Sequence, residues 1–159
     1  MKPYADTNLF TRFYLDLPES AAADDLVAAV QSGDIPPLPV TWLHRLELVN
    51  AFEHSVYLGR QPDYPRVTPE QAAIALATFR EDLAVQTFLR PVRLPETELE
   101  RQAEALALRH TARHGFCTYD LLHVAAALLL GCDTFWSFDA RALKLARLEG
   151  FRTPAIPRR

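Results

Sequence analysis

Four acidic residues stand in settings that suit metal or phosphate chemistry. They are Asp6 in Tyr4-Ala5-Asp6-Thr7-Asn8, Glu47 in Leu46-Glu47-Leu48-Val49-Asn50-Ala51, Asp120 in Thr118-Tyr119-Asp120-Leu121-Leu122-His123, and Asp139 in Trp136-Ser137-Phe138-Asp139. Each falls where a strand or loop meets a helix, or on an early helical turn. Two carboxylates about 5 Å apart repel by roughly 3 kcal/mol at an effective dielectric near 20. Protonation or a bound cation removes that repulsion, and a hard divalent cation held by oxygens is the economical solution. Taken singly, each acid also has a structural explanation. Asp6 suits an Asx turn, Asp120 complements a helix dipole, Asp139 is an N-cap, and Glu47 is a solvated helix residue. Together those explanations are weaker, because Glu47 sits among Leu46, Leu48 and Val49, and Asp139 follows an aromatic strand.

The elements that must position these residues alternate along the chain. Tyr4 and Ala5 begin a short strand, and Thr7 or Asn8 caps a helix through Leu15. A second helix runs from Ser20 to Gln31 and stops at Gly33. Val40-Thr41 is a short strand, followed by a helix from Trp42 to Leu58. Thr68 is an N-cap, Pro69 fits the first helical position and Gln71 completes a capping box, opening a helix to about Leu89. Val92 to Leu94 is a weak strand. Thr97-Glu98-Leu99-Glu100 opens a helix that ends near His114-Gly115. Thr118 caps a helix over Tyr119 to Leu130, Thr134-Phe135-Trp136 is a strand, Asp139 caps a helix ending before Gly150, and Phe151 to Thr153 forms an edge strand.

Strands separated by helices predict a parallel sheet covered on both faces, with the ligand crevice at the carboxyl ends of the strands. Asp6 and Asp139 both follow strands and open onto that edge. Glu47 shares a helix face with Asn50, Ala51 and His54.

Bulk properties narrow the classes. A chain of 159 residues that is 49% hydrophobic is expected to be one domain over 1–159, with a real core rather than disorder. The net charge of −3 excludes a simple basic nucleic-acid binder. Lys2 and Lys144 are the only lysines, so Arg supplies nearly all the positive charge, and Arg suits forked phosphate contacts. Two cysteines, Cys117 and Cys132, give no disulfide framework and fit a reducing, cytoplasmic setting. The N-terminus lacks the apolar run of a signal peptide, and Val124 to Leu130 is too short to span a bilayer, so no membrane association is expected.

Over essentially its whole length the chain resembles a PIN-domain ribonuclease, most of all the VapC-like toxins of bacterial type II toxin–antitoxin pairs. The resemblance rests on Tyr4-Ala5-Asp6-Thr7-Asn8, on Glu47 followed by Asn50-Ala51, and on Tyr119-Asp120-Leu121-Leu122-His123-Val124-Ala125-Ala126-Ala127. It also rests on Phe135-Trp136-Ser137-Phe138-Asp139-Ala140-Arg141-Ala142-Leu143. It implies a three-layer α/β/α sandwich around a mostly parallel sheet of about five short strands. It implies a metal-dependent endoribonuclease, in which Asp6, Glu47, Asp120 and Asp139 bind Mg²⁺ or Mn²⁺ and leave 5′-phosphate and 3′-hydroxyl ends. Asn8 and Ser137 match supporting positions. Partners implied are RNA and a small cognate antitoxin that carries an Arg toward the acidic site. Family members commonly dimerise, and the apolar helix faces here allow a homodimer.

Arg141, Lys144 and Arg147 recur every three residues beside Asp139. They form either a phosphate-binding stripe, with Arg141 and Lys144 nearest the acids, or a solvated face. Arg109 and Arg113 read as a solvated face, and Arg12 is placed near the cleft rim without a role. His110-Thr111-Ala112-Arg113-His114 has metal-ligand spacing, but zinc needs a further ligand on a shared face, and the segment reads as a helix end. His123, one turn past Asp120, could contact the cleft but is expected to face the core. The alternatives are a non-catalytic PIN-like binding module and a haloacid-dehalogenase-like phosphatase. The latter requires a second Asp two residues after the first, where this chain has Asn8.

Overall fold

The computed structural model describes residues 1–154. Four three-residue strands alternate with helices along the chain: β1 (Pro3–Ala5), α1 (Thr7–Tyr14), α2 (Ser20–Gln31), β2 (Leu38–Val40), α3 (Trp42–Leu58), α4 (Pro69–Val85), β3 (Leu89–Pro91), α5 (Glu96–His114), α6 (Thr118–Leu129), β4 (Thr134–Trp136) and α7 (Ala140–Leu148). Both ladders are parallel. Tyr4 pairs with Phe135 in β1–β4, and Pro39 pairs with Arg90 in β2–β3.

Alternation along the strands sends side chains to two cores. Ala5 and Trp136 join Leu38, Val40 and Leu89 in a core covered by α1, α2, α3 and α4. Tyr4 and Phe135, stacked at 5.5 Å, join Val124, Leu106 and Leu145 in a core covered by α5, α6 and α7. The result is the expected helix–sheet–helix sandwich.

The centre of the sheet departs from a continuous ladder. β1 and β2 approach within 8 Å between Cα atoms but belong to separate ladders. His44 bridges the gap. Its Nδ1 accepts from the Thr41 N–H at 3.1 Å, and its Nε2–H donates to the Ala5 carbonyl at 2.9 Å. Those roles require neutral imidazole. Burial lowers the His44 pKa to about 3, with the His123 charge acting the same way and the Ala5 bond opposing.

Several boundaries differ from the sequence reading, each for a local reason. Asp6, not Thr7 or Asn8, caps α1, accepting from the Leu9 N–H at 3.2 Å. β2 begins at Leu38, and Thr41 caps α3 instead of extending the strand. α4 stops at Val85 because Gln86 turns left-handed (φ 60°), which frees Phe88 and Leu89 to be buried; the third strand therefore lies at Leu89–Pro91 rather than 92–94. The Val92 N–H to Val40 carbonyl bond continues that pairing one residue further. α5 starts at Glu96 after Pro95 with no side-chain cap. Cys117 caps α6 in place of Thr118, because Asp120 three residues on returns its carboxylate to the Cys117 N–H. The fifth strand reduces to one parallel bridge, Thr134 to Arg152. Among the described residues no helix is long and apolar enough to cross a membrane.

Candidate functional site

All four acids, which come from segments far apart in sequence, line one cleft of about 840 Å³. Its walls also include Asn8, Arg12, Asn50, His54, Tyr64, Tyr119, His123 and Arg141. A smaller hollow of about 460 Å³ beside α1 and α4 contains none of the four.

Asp6 and Asp139 follow the paired strands β1 and β4, and Ser137 couples them. The Ser137 hydroxyl donates to Asp6 Oδ2 at 2.6 Å and accepts from the Asp139 N–H at 2.8 Å. Asp139 then caps α7 through the N–H of Arg141 at 2.7 Å. Burial lifts the Asp6 pKa from 3.8 to about 6. The His123 charge, Ser137 and the Leu9 N–H pull it down, and the Asp139 charge adds to the rise. Asp6 is thus a buried carboxyl whose ionised form lacks full compensation from protein groups.

Asp120 is also buried. Its Oδ2 accepts from the Cys117 N–H at 3.2 Å and from the Cys117 thiol at 3.0 Å. Burial, and then the bond and charge of Asp120, raise the thiol pKa, while the Asp120 backbone contact and Arg141 oppose. The thiol therefore serves as a proton donor to the carboxylate.

Glu47 projects from the second turn of α3. The Thr7 hydroxyl donates to its Oε2 at 2.6 Å, and His123 Nε2 bonds the same oxygen. Burial pushes the Glu47 pKa up, but the His123 bond and charge and the Thr7 bond outweigh it and hold the carboxyl below its usual value. Tyr4 Oη lies 2.8 Å from His123 Nδ1. Burial raises the Tyr4 pKa well above its ordinary value, reinforced by the Asp6 charge. The phenol thus stays protonated, and Tyr4 and Glu47 hold the two ring nitrogens of His123 from opposite sides.

His123 meets both readings that the sequence allowed. It is buried, as expected, yet it also lines the cleft and orients Glu47. The available signal was its position three residues after Asp120, on the same helix face. Thr7 was read only as a helix cap. Asn8 accepts from Arg12 Nη1 through its side-chain oxygen at 2.7 Å. Arg141 is exposed and lines the cleft; Lys144 is exposed and is not part of the lining. His110 is engaged elsewhere, bonding Glu149 at 2.6 Å beside the Arg109–Glu149 ion pair that ties α5 to α7.

The donor set is chemically suited to a hard cation: carboxylate and amide oxygens, with one buried acid that burial and a like charge disfavour as an anion. Among the described residues, no three His, Cys, Asp or Glu side chains stand together closely enough to form a ready-made cage. Mg²⁺ does not need one, since it usually keeps several waters and takes one or two carboxylates.

No curated protein matches the chain at a significant level. The PIN domain profile matches residues 4–148, which include every acid of the cleft and the strands that place Asp6 and Asp139. The chain therefore belongs to the PIN domain family, whose members are typically nucleases that use divalent metals.

Proposed function

We propose that this protein is a Mg²⁺- or Mn²⁺-dependent endoribonuclease, and that it acts as the VapC-like toxin of a toxin–antitoxin pair in the cytoplasm. The observation that carries the catalytic reading is the meeting of Asp6, Glu47, Asp120 and Asp139 in one cleft, with the Asp6 pKa raised to about 6 by burial and by the like charge of Asp139. A divalent cation bound there would activate a water and offset the charge of the phosphodiester.

The chain's own residues supply position and charge. Asp6, Asp139 and Asp120 would hold the cation, with Ser137 fixing the first two relative to each other. Glu47, aimed by Thr7 and His123, would complete the oxygen set. Arg141 at the cleft, and Lys144 further along α7, would meet phosphates of the RNA. The same acidic cleft would attract an Arg from a cognate antitoxin, giving inhibition by charge complementarity.

The test is cleavage of structured RNAs by partner-free protein in Mg²⁺ or Mn²⁺. Wild type is expected to cleave, EDTA to stop it, and Asp6→Asn and Asp120→Asn each to slow it by about a hundredfold. Equal cleavage by the variants would reject these ligands, and cleavage unaffected by EDTA would reject the metal.

A further inference from the structure

An acidic cleft that accepts a polyanion needs a fixed positive group, and the cleft wall contains one whose contacts exceed what a structural clamp requires. Arg12 lies on α1 one turn after Asn8. Its Nε donates to Glu19 Oε2 at 2.9 Å. Its Nη1 donates to Asn8 Oδ1 at 2.7 Å and to the Asn8 carbonyl at 3.2 Å. The guanidinium carbon stands 5.0 Å from the centroid of the Phe138 ring. Phe138 directly precedes Asp139, and Asn8 is two residues past Asp6, so the guanidinium is anchored on the same two segments that carry the coupled acids. Tethering α1 to Glu19 needs one donor; four contacts fix the plane of the group.

The donor count is informative. Guanidinium has five N–H groups. Nε uses one and Nη1 uses two, so both N–H groups of Nη2 have no partner among the described residues. Arg12 lines the cleft with its side chain 23% exposed. A polar group held this rigidly has little conformational freedom left to lose when it binds a ligand.

We propose that Arg12 is a further phosphate-binding residue, within the cleft itself, presenting Nη2 to a phosphodiester of the bound RNA, with Asn8 and Phe138 orienting it. The inference rests on the ribonuclease reading above and assigns to Arg12 the anchoring that the carboxylates cannot provide. Arg141, by contrast, is an exposed side chain on α7 with no side-chain hydrogen bond among the described residues.

The test is binding of a short fluorescein-labelled single-stranded RNA by fluorescence anisotropy, with Ca²⁺ as the cation, from about 50 to 200 mM salt. Circular dichroism checks that each variant keeps its helices. For single strands, each neutralised phosphate contributes about 0.7 to the slope of log affinity against log salt. R12Q, which keeps amide donors but no charge, is expected to lower the slope by about that amount and to weaken binding about tenfold. R12K is expected to keep the slope and to recover only part of the affinity, because it lacks the fork. R12Q indistinguishable from wild type would overturn the proposal. So would R12Q that binds more weakly with an unchanged slope, the signature of a purely structural role. Full recovery by R12K would overturn the requirement for an oriented guanidinium. Wild type showing no salt-dependent binding would overturn the RNA reading itself, and this assignment with it.

Discussion

Asp6 carries two conflicting duties. As the N-cap of α1 it accepts from the Leu9 N–H, and as a cleft residue it is buried beside Asp139. Its pKa is raised in the folded state, so the folded protein holds a proton that the unfolded chain releases. The sign follows from linkage: this contribution is fully present below pH 4 and is lost as pH rises through about 6. In metal-free protein, stability should therefore fall between these values by on the order of 2–3 kcal/mol from this group. Asp6→Asn keeps a capping oxygen and removes the titration. It should melt higher than wild type at pH 7 in EDTA, and the gap should close near pH 4. Calorimetric melting over that range checks it, and a lower melting temperature for the variant at every pH would contradict the assignment of strain to Asp6. The acids themselves were legible in the sequence because helix starts and strand ends announce their positions. Their partners were not. Nothing in the order of residues says that Thr7 would turn its hydroxyl to Glu47, forty positions away, or that Tyr4 would back His123 across 119.

At the scale of elements, the discontinuity between β1 and β2 puts unusual weight on one helix start. His44 satisfies backbone groups of Thr41 and Ala5 from a fully buried position, in ring contact with Tyr4 and Phe10. Replacing it with Phe would preserve most of the volume but remove both hydrogen bonds. Each buried backbone group that loses its partner costs about 1–3 kcal/mol. His44→Phe should therefore destabilise the fold by about 2–4 kcal/mol, read as a lower urea midpoint with little change in slope. A variant as stable as wild type would show that the gap is closed by other means. The sequence pattern located every helix, because capping boxes such as Thr68–Gln71 and stops such as Gly115 are local signals. It misplaced the third strand because the end of α4 is set by Gln86 in a left-handed turn, which no glycine announces. Another local constraint is Gly59 after α3, where a Cβ would stand 2.7 Å from the Val67 nitrogen. That close approach folds back the loop that brings Tyr64 and Pro65 to the cleft.

For the whole molecule, two cores on either side of a minimal sheet leave one end of β1 and β4 to be surrounded by α1, α3, α6 and α7, and the cleft forms where these meet. The three-layer fold was legible because strand and helix signals alternate. The cleft was legible only as a set of residue types, because convergence depends on pairings such as Ala5 with Trp136 that short strands barely specify. The proposed function requires that these distant carboxylates share a divalent cation. Crystals of the protein soaked in Mn²⁺ and measured for anomalous scattering test it most directly. A single strong peak, or a close pair, is expected within the cleft in contact with Asp6 and at least one of Asp120, Asp139 and Glu47, and it should be lost in Asp6→Asn. A cleft with no peak at millimolar Mn²⁺, or a peak unchanged by Asp6→Asn, would contradict it.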